Sequence, residues 1–385
     1  MSILHVAICG NVLPQARDED NPCVYLRDQR TQEAVMYVAR HFPKRDELYR
    51  RFADIAPRID NLFRTGVLRE EEHSVFLNFT LFTREDHLIL YDVAGRWGYN
   101  LARAICGREH ELRNLLAMYH RTGASLEKVA FIAIGFLLLD WRSLEKLTQW
   151  GYMCPAKQQT GGTFTVNAEE TIDLDLKAVY WGGHTDVYDG LVFVSFGDHA
   201  CRRTAAFPDI LWNEPFTVKA PFDCPEARGV LSAYLGTLKR DLAQALRFFA
   251  GEQVGVSAPV EACKRWLERL GYAQNGTLTV PYFDEEDRAW LEPLSQMVLG
   301  EVRAWLEEHY SKLKQALAQS TPVRHGVDYT EVFRVVWHWV FGMANRSLAQ
   351  MGIIYDTYQS GSLTPGYLPA VIKQELFGSR FEPDN

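Results

Sequence analysis

Pro57-Arg-Ile-Asp-Asn-Leu-Phe-Arg-Thr-Gly66 decides how the chain is read, together with Val67-Leu68, the acidic tip Glu70-Glu71-Glu72-His73 and the run Val75-Phe-Leu-Asn-Phe-Thr-Leu81. Proline suits a first helical position, where its missing N–H is not needed, and Ile59, Leu62 and Phe63 supply the apolar stripe of a short helix. Gly66 suits the left-handed residue just past the end, and the apolar runs flanking the acidic tip read as a β-hairpin. Upstream, Thr31 to His41 predicts a helix with Ala34, Val35, Val38 and Ala39 on one face, and Arg45 to Phe52 predicts another. The order is helix, helix, helix, two-stranded wing.

That ending recurs. Val260 to Leu270 predicts a helix with Cys263, Trp266, Leu267 and Leu270 inward, Gly271 stops it, and Asn275-Gly276 is a strong two-residue hairpin signal. After each wing a helix begins at a capping position, Thr83 with Asp86 or Asp284 with Asp287. Phe82-x-x-Glu85-Asp86 stands 201 residues before Phe283-x-x-Glu286-Asp287, Leu147-x-x-x-Gly151 stands 201 before Leu348-x-x-x-Gly352, and Ala56-Pro57 stands 202 before Ala258-Pro259. A nearly constant offset over about 100 residues predicts an internal duplication. A last echo, Phe207-Pro-Asp-Ile-Leu211 against Leu368-Pro-Ala-Val-Ile372, has an offset of 161 and calls for extra residues in the first copy. Thr163 to Val166, Ile172 to Tyr180 and Leu191 to Phe196 read as strands there, a small β insertion.

The expected fold class is mainly α with small β elements: a tandem duplication of a winged-helix-like unit plus helical segment, with the insertion in the first copy. The expected domains are a strand and first winged-helix-like domain (1–86), a helical segment (87–158), the β-rich insertion and connection (159–225), a second winged-helix-like domain (226–287) and a second helical segment with the C-terminal tail (288–385). The apolar helices Val129 to Leu139 and Val332 to Phe341 are expected to pack as a pseudo-dimer within one chain, with a homodimer also open.

Arg45 to Leu81, and less completely Leu235 to Val280, resembles the winged helix-turn-helix family of bacterial regulators. The resemblance implies a third helix in the major groove of DNA and a wing on the backbone. Arg58, Asn61 and Arg64 would then meet base edges, and Arg45, Arg50 and Arg51 would lie near phosphates. A small-molecule effector or a protein partner sensed by the helical region would change the spacing of the two winged helices. Charge argues the other way: residues 1–75 hold 11 Lys/Arg and 12 Asp/Glu, and the first wing carries three consecutive glutamates. A winged-helix scaffold that packs on proteins without DNA therefore stays open, as does a merely solvated helix face.

The whole chain has 385 residues, 47% hydrophobic and 23% charged, with a formal net charge of −8, which excludes wholesale disorder. Its longest apolar run, Val129 to Leu139, is about half the length that crosses a bilayer, so no membrane partner is expected. The N-terminus lacks leading basic residues and reads as a strand rather than a signal peptide, and seven cysteines without a CxxC pair suit reduced thiols in the cytoplasm. Arg334, His338 and Asn345 share helical spacing among Trp337 and other aromatics, which suits an effector site, a buried hydrogen-bond cluster or an enzyme pocket around Arg334 and His338. His184, Asp186, Asp198, His199 and Cys201 are competent metal-ligand types whose spacing matches no zinc pattern. No phosphate loop, GxGxxG, HExxH or GxSxG occurs, so no catalytic residue and no cofactor is expected beyond that metal candidate.

Overall fold

The computed structural model describes residues 3–12, 22–159, 162–171, 181–198, 225–269, 271–358 and 366–376. The chain is mainly helical, 60% helix against 16% strand. It divides into two compact units, each assembled from separate stretches. The first takes Met1–Trp97, Leu144–Asp175 and Trp305–Val340; the second takes Gly98–Ser143, Leu176–Ala304 and Phe341–Asn385.

In the first unit, β1 (Leu4–Val12) precedes α1 (Pro22–Tyr25), α2 (Gln29–His41), α3 (Arg45–Arg51) and α4 (Ala56–Arg64). Asp28 caps α2 by accepting from the Thr31 N–H at 2.9 Å. Gln32, buried on α2, accepts from the N–H groups of Ile3 and Leu4 and donates to Leu26 O at 2.8 Å, which ties the start of β1 to the helix. Gly66 has φ +70°, the left-handed stop its position implied. A two-stranded hairpin follows as β2 (Leu68–Glu71) and β3 (Ser74–Leu77), turned by Glu72 and His73 at positive φ. Ala34, Val35, Ile59, Leu62, Val75 and Leu77 join one core.

β4 (Thr80–Phe82) leads into α5 (Arg84–Cys106), and Asp86 returns to Thr83 N–H at 2.8 Å as the capping pattern required. The other Asp86 oxygen accepts from Thr321 N–H at 2.9 Å, so one carboxylate serves two helix starts. His325 adds a second long-range tie: its Nδ1 accepts from Leu77 N–H, its Nε2–H donates to Ala39 O, both at 3.1 Å, and its ring stacks on Phe42 at 4.2 Å.

The second unit holds α6 (Glu109–Leu116), α7 (Leu126–Ala130) and a π-helical stretch over Phe131–Arg142. All of Phe131 to Asp140 except Leu137 is buried, which is why its sequence shows no polar face. After α8 (Ser143–Gln149), β5 (Gln158–Gln159) and β6 (Gly162–Glu170) return to the first unit's sheet. β7 (Trp181–Tyr188) and β8 (Leu191–Asp198) then open the second unit's sheet. α9 (Pro225–Phe249) and α10 (Ala258–Arg269) precede the short hairpin β9 (Ala273–Gln274) and β10 (Thr277–Leu278), turned by Asn275 and Gly276 at positive φ. β11 (Tyr282–Phe283), α11 (Arg288–Ala316), α12 (Thr321–Arg324), α13 (Tyr329–Gln350) and β12 (Tyr367–Lys373) complete the described elements. Asp284 and Asp287 form a reciprocal capping box ahead of α11.

The strands expected to form one insertion at 159–225 do not stay together. β6 lies between β1, antiparallel, and β4, parallel; β12 lies between β8, antiparallel, and β11, parallel. Phe82 faces Glu169 and Phe283 faces Ile372, which pairs β6 with β12 at an offset of 203 (372 − 169). Residues 207–211, matched to 368–372 by sequence, and 172–180 lie outside the described residues. Long-range pairing, which adjacency in the chain conceals, distributes these strands.

Candidate functional site

α4 buries Ile59 and Leu62 and turns Arg58, Asp60 and Arg64 outward, with Asn61 half-buried beside them. The i, i+3 spacing of Arg58, Asn61 and Arg64 puts all three on one face. Each is already engaged. Arg58 is ion-paired with Asp28, and its hydrogen bond holds that carboxyl below the ordinary range. Arg64 donates to Asn61 Oδ1 at 3.3 Å. Arg45 reaches Glu70 of the β2–β3 hairpin at 3.3 Å and lies 4.6 Å over the Phe63 ring, while Arg50 donates to Asp46 O at 3.3 Å. Arg51 turns onto Tyr37, its guanidinium 4.4 Å from the ring centre. Exposed ion pairs of this kind contribute little to stability, so a phosphate displaces such a carboxylate at small cost.

α10 exposes Arg265 and Arg269, whereas Lys264 is bonded to Glu261 at 2.7 Å and lies 3.5 Å over the Phe248 ring.

The expected ligand group on α13 is only partly brought together. Arg334 and His338 lie in the first unit and are joined by His338 Nδ1–H donating to Arg334 O at 2.7 Å. Arg334 in turn donates to Cys154 O at 2.5 Å, and burial pushes the His338 imidazole down to about 4. Trp337 is fully buried, 6.0 Å from Trp305 in an edge-on pair. Asn345 belongs to the second unit, with neither amide atom hydrogen-bonded, beside Gly135. Residues 332–345 are buried all round, so Arg334 and His338 donate to backbone carbonyls, Asn345 stays without a partner, and no wet face forms.

His199 and Cys201 lie outside the described residues, as do the side chains of His184, Asp186 and Asp198. Among the described residues no group of three His, Cys, Asp or Glu side chains has metal-holding geometry. Nor is any helix among them long and apolar enough to cross a membrane.

Two acids, Glu169 half-buried and Asp140 buried, escaped the sequence reading. Glu169, near the end of β6, accepts from Trp339 Nε1 at 3.1 Å and stands 4.0 Å from His87 Nε2. Burial raises its carboxyl to about 7 and, by the same cause, lowers the His87 imidazole. Asp140, in the π-helical stretch, is raised by burial to about 7 against a hydrogen bond from the Gly183 N–H. Positions 87, 169 and 339 are too far apart for any local spacing to connect them.

No protein-family model, no curated protein and no solved structure matches the chain.

Proposed function

We propose that this chain is a tandem winged-helix regulator of the cytoplasm that docks on duplex DNA through α4. The observation that carries the reading is the α2–α3–α4–hairpin order with Arg58, Asn61 and Arg64 on one outward face of α4. Supporting the duplication is the shared strand order, β4–β6–β1 and β11–β12–β8, with the same directions in each. In this reading Arg58 and Arg64 exchange Asp28 and Asn61 for base edges, and Arg45 and Arg50 take phosphates. With about two phosphate contacts the affinity falls with roughly the 1.8 power of salt concentration. An effector acts on the docked form by binding one of two states more tightly.

The acidic wing and the pre-formed Arg58–Asp28 and Arg45–Glu70 pairs favour a second reading, a winged-helix module that packs on a protein. The enzyme reading is not carried further, because Arg334 and His338 both donate to backbone carbonyls. Fluorescence anisotropy with fragments of the source genome, across a salt series, separates the first two. Salt-dependent retention lost in Arg58→Ala/Arg64→Ala supports DNA docking. Absence of retention with cell-extract metabolites added rejects it in favour of a protein partner.

A further inference from the structure

A groove of about 440 Å³ lies against α2 in the first unit, lined also by Ile3 and by Arg51 and Phe52 at the end of α3. Its size falls within the range that takes a small molecule, roughly 300–1,000 Å³. Tyr37, His41 and Phe52 supply aromatic walls, and Arg30, Arg40 and Arg51 supply three cations.

The cations are not equivalent. Arg30 is held by Glu33 at 2.7 Å and Asp54 at 2.9 Å, and Arg40 by Glu170 at 2.7 Å. Arg51 has no carboxylate within ion-pair distance among the described residues; it rests instead on Tyr37. The Tyr37 hydroxyl is bonded to Glu47 and its ring stands 4.6 Å from His41, so the platform beneath the guanidinium is fixed. A guanidinium laid on a ring keeps its N–H fork free to meet a carboxylate bidentately.

We propose that this groove binds a small aromatic monocarboxylate, with the carboxylate on Arg51 and the planar body along Tyr37 and His41. Charge selects a single anion. Glu33 lines the groove, and Arg30 and Arg40 are already neutralised by Glu33, Asp54 and Glu170, so Arg51 is the one lining guanidinium left to take a negative group. The ring selects a flat apolar body over a bare oxyanion, because the remaining wall is Met36 and Ile3. A ligand there bridges α2 to α3, the helix before α4, and so gives the regulator an effector site. Binding itself does not depend on the DNA reading and is measured without DNA.

The test is isothermal titration of the full chain with benzoate and with salicylate, beside inorganic phosphate, on wild type, Arg51→Gln and Arg51→Lys. The expected result is a Kd below about 1 mM for at least one aromatic acid. Arg51→Gln should weaken it tenfold or more, and Arg51→Lys should fall between, because charge is kept but the fork is lost. Arg51 is exposed, and an unchanged thermal midpoint checks that the variants fold. Failure of both aromatic acids to saturate by 10 mM overturns the proposal, as does wild-type affinity in Arg51→Gln. Phosphate binding as tightly as benzoate overturns the aromatic part of it.

Discussion

Glu169→Gln should stabilise the first unit at pH 8 and leave it nearly unchanged at pH 4.5. The carboxylate is only 15% exposed, and its one close basic neighbour, His87, is itself held neutral by burial. Its folded value is about 7 against an ordinary 4.5, so between those limits the folded chain holds a proton that the unfolded chain has released. Stability therefore falls as pH rises through this window. At 1.36 kcal/mol for each pH unit between the two values, the loss totals about 3 kcal/mol by pH 8. Gln stays neutral and keeps an oxygen for Trp339 Nε1, so it escapes that loss without giving up the hydrogen bond. Urea unfolding followed by tryptophan fluorescence at both pH values gives the difference, read on the transition the substitution moves, since two compact units need not unfold together. Asp140, His325 and His338 titrate alike in both proteins and cancel from the comparison. A gain at pH 8 equal to that at pH 4.5 would refute the raised carboxyl. A loss at pH 8 would mean that Glu169 and His87 instead form a buried ion pair.

His325→Ala should cost about 2–4 kcal/mol, because Leu77 N–H and Ala39 O lose their partner inside the core; a cost under 1 kcal/mol in urea denaturation would contradict that bridge. Burial lowers the same imidazole to about 4, so its contribution is complete above pH 6.5 and declines as pH falls toward 4, and Ala should remove that acid-side slope. Gly135→Ala should destabilise the second unit by about 1–3 kcal/mol, since the added methyl meets Phe196 at 2.7 Å and Asn345 Oδ1 at 3.1 Å; an unchanged melting midpoint would show that the ring yields freely. Asn345→Leu should be neutral or stabilising by about 1 kcal/mol, because both amide atoms are buried without a partner; a clear loss in the urea midpoint would reveal a water or ligand on the amide.

What the chain order reveals is governed by local chemistry. Gly66 at φ +70°, the Asn275-Gly276 turn and the caps at Thr83 and Asp284 each depend on residues within four positions, and each stands where the spacing put it. Non-local pairing is different. Thr163 to Val166 reads as a strand, but nothing near it says that β6 joins β1, some 150 residues earlier in sequence, or that the neighbouring β8 joins β12 instead. Polar residues on a buried helix mislead for a related reason: Arg334 and His338 suggest an open site only until the carbonyls of Cys154 and of Arg334 itself are seen to accept their hydrogen bonds. Arg51 shows the converse. Its spacing on α3 suits a phosphate contact, yet Tyr37, fourteen residues earlier, draws it into the groove and leaves it the one groove cation without a carboxylate among the described residues. A cation stacked on an aromatic ring stays charged and keeps its donor edge open, whereas Arg58 and Arg45 must first release an acid. Small anions should therefore meet the first unit at Arg51 more readily than at the face of α4.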